Sequence, residues 1–154
     1  MPNGIVRAIC IATNAGEQMQ QVDEVEAITS AGLKGDRYCT GEGSFNKGAQ
    51  GKRQVTLING IFFEDNGFEF IDSRRNIITL DVELMWLIGR DFKIGEATFH
   101  GVKYCDPCQR PTKLSGKSRS FQEVFFDRGG LVAEVIEGGV IKVGNSIIPP
   151  PRGY

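Results

Sequence analysis

Hydrophobic positions along the chain fall into short runs that predict strands rather than long helices. Residues 5–12 form an apolar run whose single charge is Arg7, which is typical of a strand buried on most of its surface. Residues 22–29 alternate between aliphatic and acidic side chains and predict a second strand, half-buried. Strand character returns at residues 55–58, and the alternation over residues 92–104 predicts one or two further strands.

Helical spacing is confined to brief segments, and the C-terminal region is again β-rich. Two apolar runs near the C-terminus are joined by Gly138-Gly139, which predicts a β-hairpin. A helix over residues 81–88 would have Asp81 as its N-cap. The three segments with helical character are residues 59–65, residues 81–88 and residues 120–126.

Glycine is unusually frequent, and this changes the expected architecture. The chain has 20 glycines among 154 residues, about twice the usual share. Residues 34–53 contain five of them and few aliphatic side chains, which predicts a long loop of the kind that often carries function. We therefore expect a mainly β fold, a small β-barrel-like domain with a few short helices, formed by residues 1–154 as one domain.

Composition excludes several broad classes of function. Eighteen basic and nineteen acidic side chains nearly cancel, so neither nucleic-acid binding nor membrane binding is indicated. No apolar run approaches the roughly 18 residues of a membrane helix, and the N-terminus lacks a signal-peptide pattern. We interpret the four cysteines as reduced thiols of a cytoplasmic protein. A single histidine disfavours a histidine-based metal site or a Ser-His-Asp relay.

The segment of residues 103–119 is the strongest candidate for chemistry. It contains five basic residues and one acid, with Cys105 and Cys108 three positions apart. Nearby cations stabilise a thiolate, the form that binds soft metals or attacks electrophiles. Further cations in the segment, such as Arg110 and Lys113, could hold an anion such as a phosphate.

The cysteine pair leaves several alternatives open. A structural zinc site usually has four protein ligands, and the remaining donors Cys10, Cys39 and His100 include no second pair that is close in sequence. A thioredoxin-like redox pair needs a βαβ context, whereas the surroundings are rich in strands and glycine. One thiolate could instead bind a cofactor metal or carry sulfur. The remaining alternative is that both cysteines are incidental small apolar residues.

Two other basic clusters are weaker candidates. In the glycine-rich loop, Lys34, Arg37 and Arg53 face few acids apart from Asp36, and glycine-rich backbone can approach an anion closely. In residues 74–76, two arginines could fork onto a phosphate or carboxylate, and the asparagine offers donors and acceptors to a heterocycle. A solvated loop and an ordinary strand-entry turn explain these clusters equally well.

Several segments taken together resemble the MOSC domain family, named for the C-terminal domain of molybdenum cofactor sulfurase. The resemblance covers nearly the whole chain and lies in the order of the motifs. The matching segments are GLKGDR at residues 32–37, RQVTLI at 53–58, RNI at 75–77, FKIG at 92–95 with the later strand leading to the Cys105-x-Pro-Cys108 region, and GVIKVGNSI at 139–147.

The resemblance implies a β-barrel-like fold and a link to the molybdenum cofactor. In metal-bound relatives one cysteine thiolate binds molybdenum beside the dithiolene of a pterin. This role is carried to Cys108, with Cys105 as the alternative ligand or the residue that resolves or transfers sulfur. Arg75 and Asn76 become candidates for binding the pterin or its phosphate. The residues expected to line the pocket are Lys34, Asp36, Arg37, Arg53, Arg110 and Lys113.

The resemblance predicts a function but leaves alternatives. Tyr38-Cys39 stands where relatives often have His-Ala, and reductases of the superfamily carry further domains, which favours cofactor handling over independent catalysis. We expect a molybdenum-cofactor-binding protein that acts in cofactor handling or sulfuration, or that reduces N-oxygenated substrates with an electron-donor partner. The alternatives are a persulfide sulfur carrier loaded by a cysteine desulfurase, and a binding module without chemistry of its own.

Overall fold

The structure, a computed structural model, describes residues 3–40, 53–107, 110–117 and 119–151, except for the side chain of Arg110. The strands are β1 Gly4–Ile11, β2 Gln20–Val22, β3 Glu24–Ile28, β4 Gly32–Leu33, β5 Val55–Asn59, β6 Ile77–Leu80, β7 Asp91–Ile94, β8 Ala97–Tyr104, β9 Leu131–Glu137, β10 Gly139–Lys142 and β11 Ser146–Ile148. The helices are α1 Arg37–Thr40, α2 Arg110–Ser115 and α3 Phe121–Val124, and 3-10 turns lie at Gly60–Phe63, Phe70–Ser73 and Leu84–Leu87.

Seven strands close into a barrel, which confirms the predicted mainly β, barrel-like fold. Their order is β11-β7-β8-β9-β5-β6-β1, and pairing of Gly4 with Ile147 closes the ring between β1 and β11. β5 and β6 run parallel, whereas the other neighbours in the barrel are antiparallel. β2 extends the sheet beyond β1. Closure pairs strands that would otherwise be exposed edges.

The apolar residues separate into a barrel interior and a second layer outside it. β1 shows why the sequence needs both. A register shift between Val6 and Ala8 interrupts its pairing with β6, and beyond it Ile9 faces the interior while Ala8 and Cys10 face the outer layer. Both faces are buried there, so the strand is a continuous apolar run rather than an alternating one.

Phenylalanine rings form a large part of the outer layer. Phe121 and Phe125 stack with ring centroids 4.4 Å apart, and Phe63 lies 4.9 Å from Phe125 and 5.2 Å from Phe70. These rings come from α3 and the 3-10 turns, which is why these short helical segments fold onto the barrel. Offset and edge-on ring pairs of this kind each add about 1 kcal/mol beyond burial.

The predicted hairpin at Gly138-Gly139 is wrong. β9 belongs to the barrel, whereas β10 pairs with β3 in a separate three-stranded sheet, β10-β3-β4. The glycines serve close approach instead, since a Cβ on Gly139 would lie 2.7 Å from the Cβ of Glu96, and one on Gly138 would lie 2.5 Å from the Ala27 carbonyl oxygen. The segment that closes the family resemblance is likewise no hairpin, because β10 and β11 lie in different sheets.

The other predicted elements are largely confirmed. Strands occupy the segments predicted at residues 5–12, 22–29, 55–58 and 92–104, and short helices fall within 59–65 and 120–126. The helix expected at 81–88 is a 3-10 turn that starts after Glu83, while Asp81 adopts a left-handed backbone conformation. Of the predicted loop at 34–53, residues 41–52 lie outside the described residues, and α1 begins inside it. No helix in the described ranges is both long and apolar enough to cross a membrane.

We expect Gly130→Ala to lower the stability of the barrel by more than the strain of a left-handed backbone alone would. Gly130 has a φ of +104°, and a Cβ there would collide with the Leu57 carbonyl oxygen on β5. Gly144 has a similar φ of +92° with no heavy atom near its Cβ position, so Gly144→Ala is the matched control. Denaturant unfolding should show a loss of about 1–2 kcal/mol for the control and at least about 3 kcal/mol for Gly130→Ala. Equal losses would contradict the collision.

The thiol of Cys10 should make stability depend on pH above 9. Burial in the outer layer raises its pKa from 9.0 to about 12. The folded state therefore holds the proton more tightly than the unfolded state, so this stability is complete below pH 9 and is lost as the pH rises towards 12. The stability gap between the wild type and Cys10→Ala should shrink by about 1 kcal/mol between pH 9 and pH 10.

The control for this measurement is Val6→Ala, a buried substitution on the same strand that removes no titratable group. Its gap to the wild type should not change over the same pH range. A constant gap for Cys10→Ala as well would show that the folded protein does not exclude the thiolate.

Candidate functional site

We call residues 105–108 the cysteine segment. Its described part, residues 105–107, follows the end of β8 and packs directly on Gly129. Cys105 is completely buried, and its backbone N–H donates to the Gly130 carbonyl at 2.9 Å. A Cβ on Gly129 would collide with the Cys105 carbonyl oxygen and lie 2.8 Å from Cδ of Pro107. The segment can therefore lie against the start of β9 only because residue 129 has no side chain.

Arg75 holds this segment from the inside. Its Nε donates to the Gly129 carbonyl at 2.8 Å, Nη2 to the Asp106 carbonyl at 3.4 Å and Nη1 to the Ser73 carbonyl at 3.1 Å. The side chain is 5% exposed, and the residue before it, Arg74, takes a left-handed turn that ends the 3-10 turn.

The charge of Arg75 has no carboxylate partner among the described residues. Carbonyl dipoles and the ring of Phe121, whose centroid is 5.6 Å from the guanidinium carbon, are what surround it. A buried cation that is met only by dipoles leaves a positive potential around it. The cysteine segment, which accepts one of these hydrogen bonds through Asp106, therefore lies where an anion is favoured.

Arg53 brings a second cation to the segment. Its Nη1 lies 3.6 Å from Sγ of Cys105, and its side chain also hydrogen-bonds to Tyr38. Burial alone would lower the pKa of Arg53, but its neighbours Cys105 and Tyr38 outweigh this and raise the pKa above its ordinary value. The guanidinium is half-buried, so one part of it faces solvent while another contacts sulfur.

Asp36 and Arg37 support this contact from behind. Asp36 is completely buried, and its carboxylate accepts from Nη1 of Arg37 at 3.0 Å and from the backbone N–H groups of Ala12 and Tyr38. Arg37 is 4% exposed and donates through Nη2 to the Tyr38 hydroxyl at 3.2 Å and the Arg74 carbonyl at 3.0 Å. The contacts thus run from the buried ion pair through Tyr38 to Arg53 and Cys105.

Asn76 ties three strands together. Its Oδ1 accepts from the backbone N–H and the hydroxyl of Thr56, at 3.0 and 3.2 Å, and its Nδ2 donates to the Cys10 carbonyl at 3.1 Å. The side chain is fully buried. The structure therefore places Asn76 inside the junction of β1, β5 and β6 rather than on a surface that a ligand could reach.

The other sequence candidates lie apart or outside the described residues. Lys34 is exposed and lies 3.9 Å from Glu26, and Lys113 is on the exposed side of α2. Cys108 and the side chain of Arg110 lie outside the described residues. The structure thus brings together Cys105, Arg53 and Arg75, with Asp36 and Arg37 behind them.

Sequence reasoning missed two contributors to this site. Gly129 and Tyr104 face each other, and the Tyr104 hydroxyl accepts from the Gly129 N–H at 3.3 Å. Burial raises the pKa of Tyr104, which keeps its phenol protonated. The adjacent glycines at 129 and 130, directly before an apolar strand, were the available signal of close backbone approach.

The structure also bears on the alternatives for the cysteines. Cys10, Cys39 and Cys105 are free thiols, and the described ranges contain no group of three His, Cys, Asp or Glu side chains able to hold a metal ion. The pKa of Cys39 is raised by burial and then by Asp36. β8 and β9 run antiparallel, so the motif is not in the βαβ context of a thioredoxin-like pair.

Replacing Arg75 by lysine should loosen the cysteine segment. A single ammonium cannot reproduce the three-way donation of the buried guanidinium, so we expect a loss of about 2–4 kcal/mol of stability. We also expect Cys105 of the variant to react with iodoacetamide at least tenfold faster than Cys105 of the wild type. The folded proteins are labelled under native conditions, and peptide mass spectrometry then measures the labelled fraction. Arg90→Lys is the control, since Arg90 also donates to backbone carbonyls, those of Trp86 and Ile88. Equal labelling of Cys105 in both variants would contradict the role of Arg75.

Similar folds occur among solved structures. The YuaD protein from Bacillus subtilis aligns with a TM-score of 0.78 and 15% identity, covering 95% of this chain and 94% of that one. YiiM from Escherichia coli aligns with a TM-score of 0.66 and 18% identity over 100% of this chain and 72% of that one. YiiM from Geobacillus stearothermophilus aligns with a TM-score of 0.71 and 13% identity, covering 98% of this chain and 77% of that one. At these identities the likeness establishes the fold.

Sequence comparison establishes the family. No curated protein sequence matches the chain. The family model of the MOSC domain matches residues 64–148, more than half of the chain, and this stretch includes Arg75, Cys105 and the strands β6 to β11. The chain therefore belongs to the MOSC domain family.

Proposed function

We propose that the chain binds the molybdenum cofactor at the cysteine segment, with a thiolate as metal ligand. The family is associated with binding or sulfuration of this cofactor. The observation that carries the proposal is the 3.6 Å contact between the Arg53 guanidinium and the Cys105 sulfur. The contact puts a cation next to the segment that carries both thiols, and a thiophilic metal on an anionic pterin needs positive charge beside its thiolate ligand.

The described residues fit such a group in chemistry and in charge. Arg75 leaves a positive potential at the segment, and Arg53 adds a second positive charge beside the Cys105 sulfur. Dithiolene and phosphate groups are anionic and would be held by both effects. Arg37, Asp36 and Asn76 are occupied by protein partners, so their proposed part is to hold the wall rather than to touch the cofactor.

Cys108 is our proposed metal ligand, and Cys105 is proposed as its support. Cys105 is sealed inside the protein with its N–H bound to Gly130, whereas Cys108 follows after Pro107. Anchoring Cys105 and Asp106 would limit how far the following residues can move. When bound, the molybdenum centre supplies two-electron chemistry on a small N-oxygenated group, with electrons from a partner protein. The chain would bind the pterin, orient it and exclude water on the Cys105 side.

A sulfur-carrier role is the second candidate, and the same contact favours it. A persulfide is anionic, so the positive charge that Arg53 and Arg75 bring to the segment would stabilise one formed on Cys108, with its outer sulfur transferred from the persulfide of a cysteine desulfurase. Cyanide-labile sulfur after incubation with a desulfurase would support this role. Its absence, relative to a variant lacking both cysteines of the segment, would argue against it.

Elemental analysis tests the main proposal. Protein purified from cells with an intact cofactor pathway should contain about one molybdenum atom per chain, and the Cys108→Ser variant should lose this metal. Arg53→Met should weaken retention about tenfold, because one charge-assisted interaction is removed. Cys39→Ser is the control, since Cys39 is a free thiol outside the cysteine segment, and it should keep the metal. Equal molybdenum in Cys108→Ser and the wild type would refute the assignment, and zinc measured on the same sample checks the competing metal.

A further inference from the structure

A groove on the outside of the barrel lies apart from the residues discussed so far. It has a volume of 890 Å³, and none of Cys105, Arg53, Arg75 or Asn76 lines it. Its walls come from the Gly60–Phe63 turn, the start of the Phe70–Ser73 turn, and the residues where β6 ends. Its volume falls within the range of natural ligand sites, which is about 300–1,000 Å³.

Aromatic rings in this groove already bind guanidinium groups of the same chain. Arg7, exposed on β1, lies with its guanidinium carbon 5.2 Å from the ring centroid of Phe70. Arg128, also exposed, lies 4.7 Å from the ring centroid of Phe62. Both rings line the groove, so its walls already hold cations of this chain against aromatic faces.

The rim of the groove is acidic. Glu64, Asp81 and Glu83 are exposed there, and none of them forms an ion pair with a residue that the structure describes. A fourth carboxylate, Glu69, caps the Phe70–Ser73 turn. Four carboxylates and one arginine line the groove, while the whole chain has a net charge of −1. The groove is therefore more negative than the chain as a whole, which disfavours nucleic acid and favours a cation.

The shape and the apolar content favour a peptide over a small amine. Ile61 is 62% exposed beside Phe62 and Phe63, which offers an apolar strip next to the carboxylates. Gln21 of β2, the last strand of the sheet beyond β1, also lines the groove. A ligand that contacts both the apolar strip and the carboxylates needs apolar as well as cationic groups, which the side chains of a peptide supply.

We propose that this groove docks a basic, partly apolar segment of a partner protein. Its arginine or lysine side chains pair with Glu64, Asp81 and Glu83, and its apolar side chains pack on Ile61 and Phe62. Docking of this kind is independent of cofactor binding, since no residue of the proposed cofactor site takes part.

Fluorescence anisotropy on the full chain tests this proposal. The probe is a labelled hexapeptide of alternating arginine and leucine, and its matched control has glutamate in place of each arginine. We expect the basic peptide to bind at least tenfold more tightly and to weaken as salt is raised. The triple variant Glu64→Gln, Asp81→Asn, Glu83→Gln should lower this affinity at least tenfold, and Ile61→Ser should lower it about threefold.

The control variant removes the same charges elsewhere. Asp23→Asn, Glu24→Gln, Glu137→Gln neutralises one aspartate and two glutamates, all exposed and outside the groove, and should leave the affinity within twofold. Unchanged thermal unfolding would show that each variant is folded. The proposal is overturned if both triple variants weaken binding equally, if the acidic peptide binds as well as the basic one, or if arginine amide alone competes as well as unlabelled peptide.

Discussion

Two buried guanidinium groups dictate how the candidate site is built. Arg37 and Arg75 are at most 5% exposed, and arginine keeps its charge inside a protein. Removing such a charge from water is costly unless every donor finds an acceptor. Arg37 has one carboxylate, that of Asp36, together with a backbone carbonyl and a phenol oxygen, whereas Arg75 depends on three backbone carbonyls.

The hydrogen bonds that satisfy the guanidinium of Arg75 therefore also fix the position of the cysteine segment. Two of its three carbonyls belong to the connection between β8 and β9, that of Asp106 between the two cysteines and that of Gly129 shortly before β9, so the segment is held against the cation to which it is hydrogen-bonded. Gly129 is needed because only a residue without Cβ lets the segment come that close. The remaining positive potential falls beside Cys105, where Arg53 adds to it, and it is the physical basis on which we propose an anionic ligand at this end of the barrel.

Sequence patterns predicted the barrel because its strands bury regular faces, but they did not predict which polar residues remain available. Arg75, Asn76, Asp36 and Arg37 were candidates for ligand binding by residue type and by their place in motifs that resemble the MOSC family. Whether their donors and acceptors are already used depends largely on partners that are distant in sequence, such as the Cys10 carbonyl, 66 positions from Asn76, and the Gly129 carbonyl, 54 positions from Arg75. The prediction of a hairpin at Gly138-Gly139 was wrong for the same reason. A glycine pair indicates either a turn or a close approach of two backbones, and the contacts that decide between them, with Ala27 and Glu96, are distant in sequence.

The aromatic layer explains how one small chain can carry two separate surfaces. Phe121 takes the guanidinium of Arg75 on its face and stacks on Phe125, which contacts Phe63, and Phe63 in turn lies against Phe70 at the groove. One packed body thus supports the cation behind the cysteine segment and the floor of the groove. Close-packed rings leave little room for rearrangement, so changing a ring would disturb both places together. The rim carboxylates and Ile61, by contrast, are exposed to solvent and can be altered without disturbing the rings.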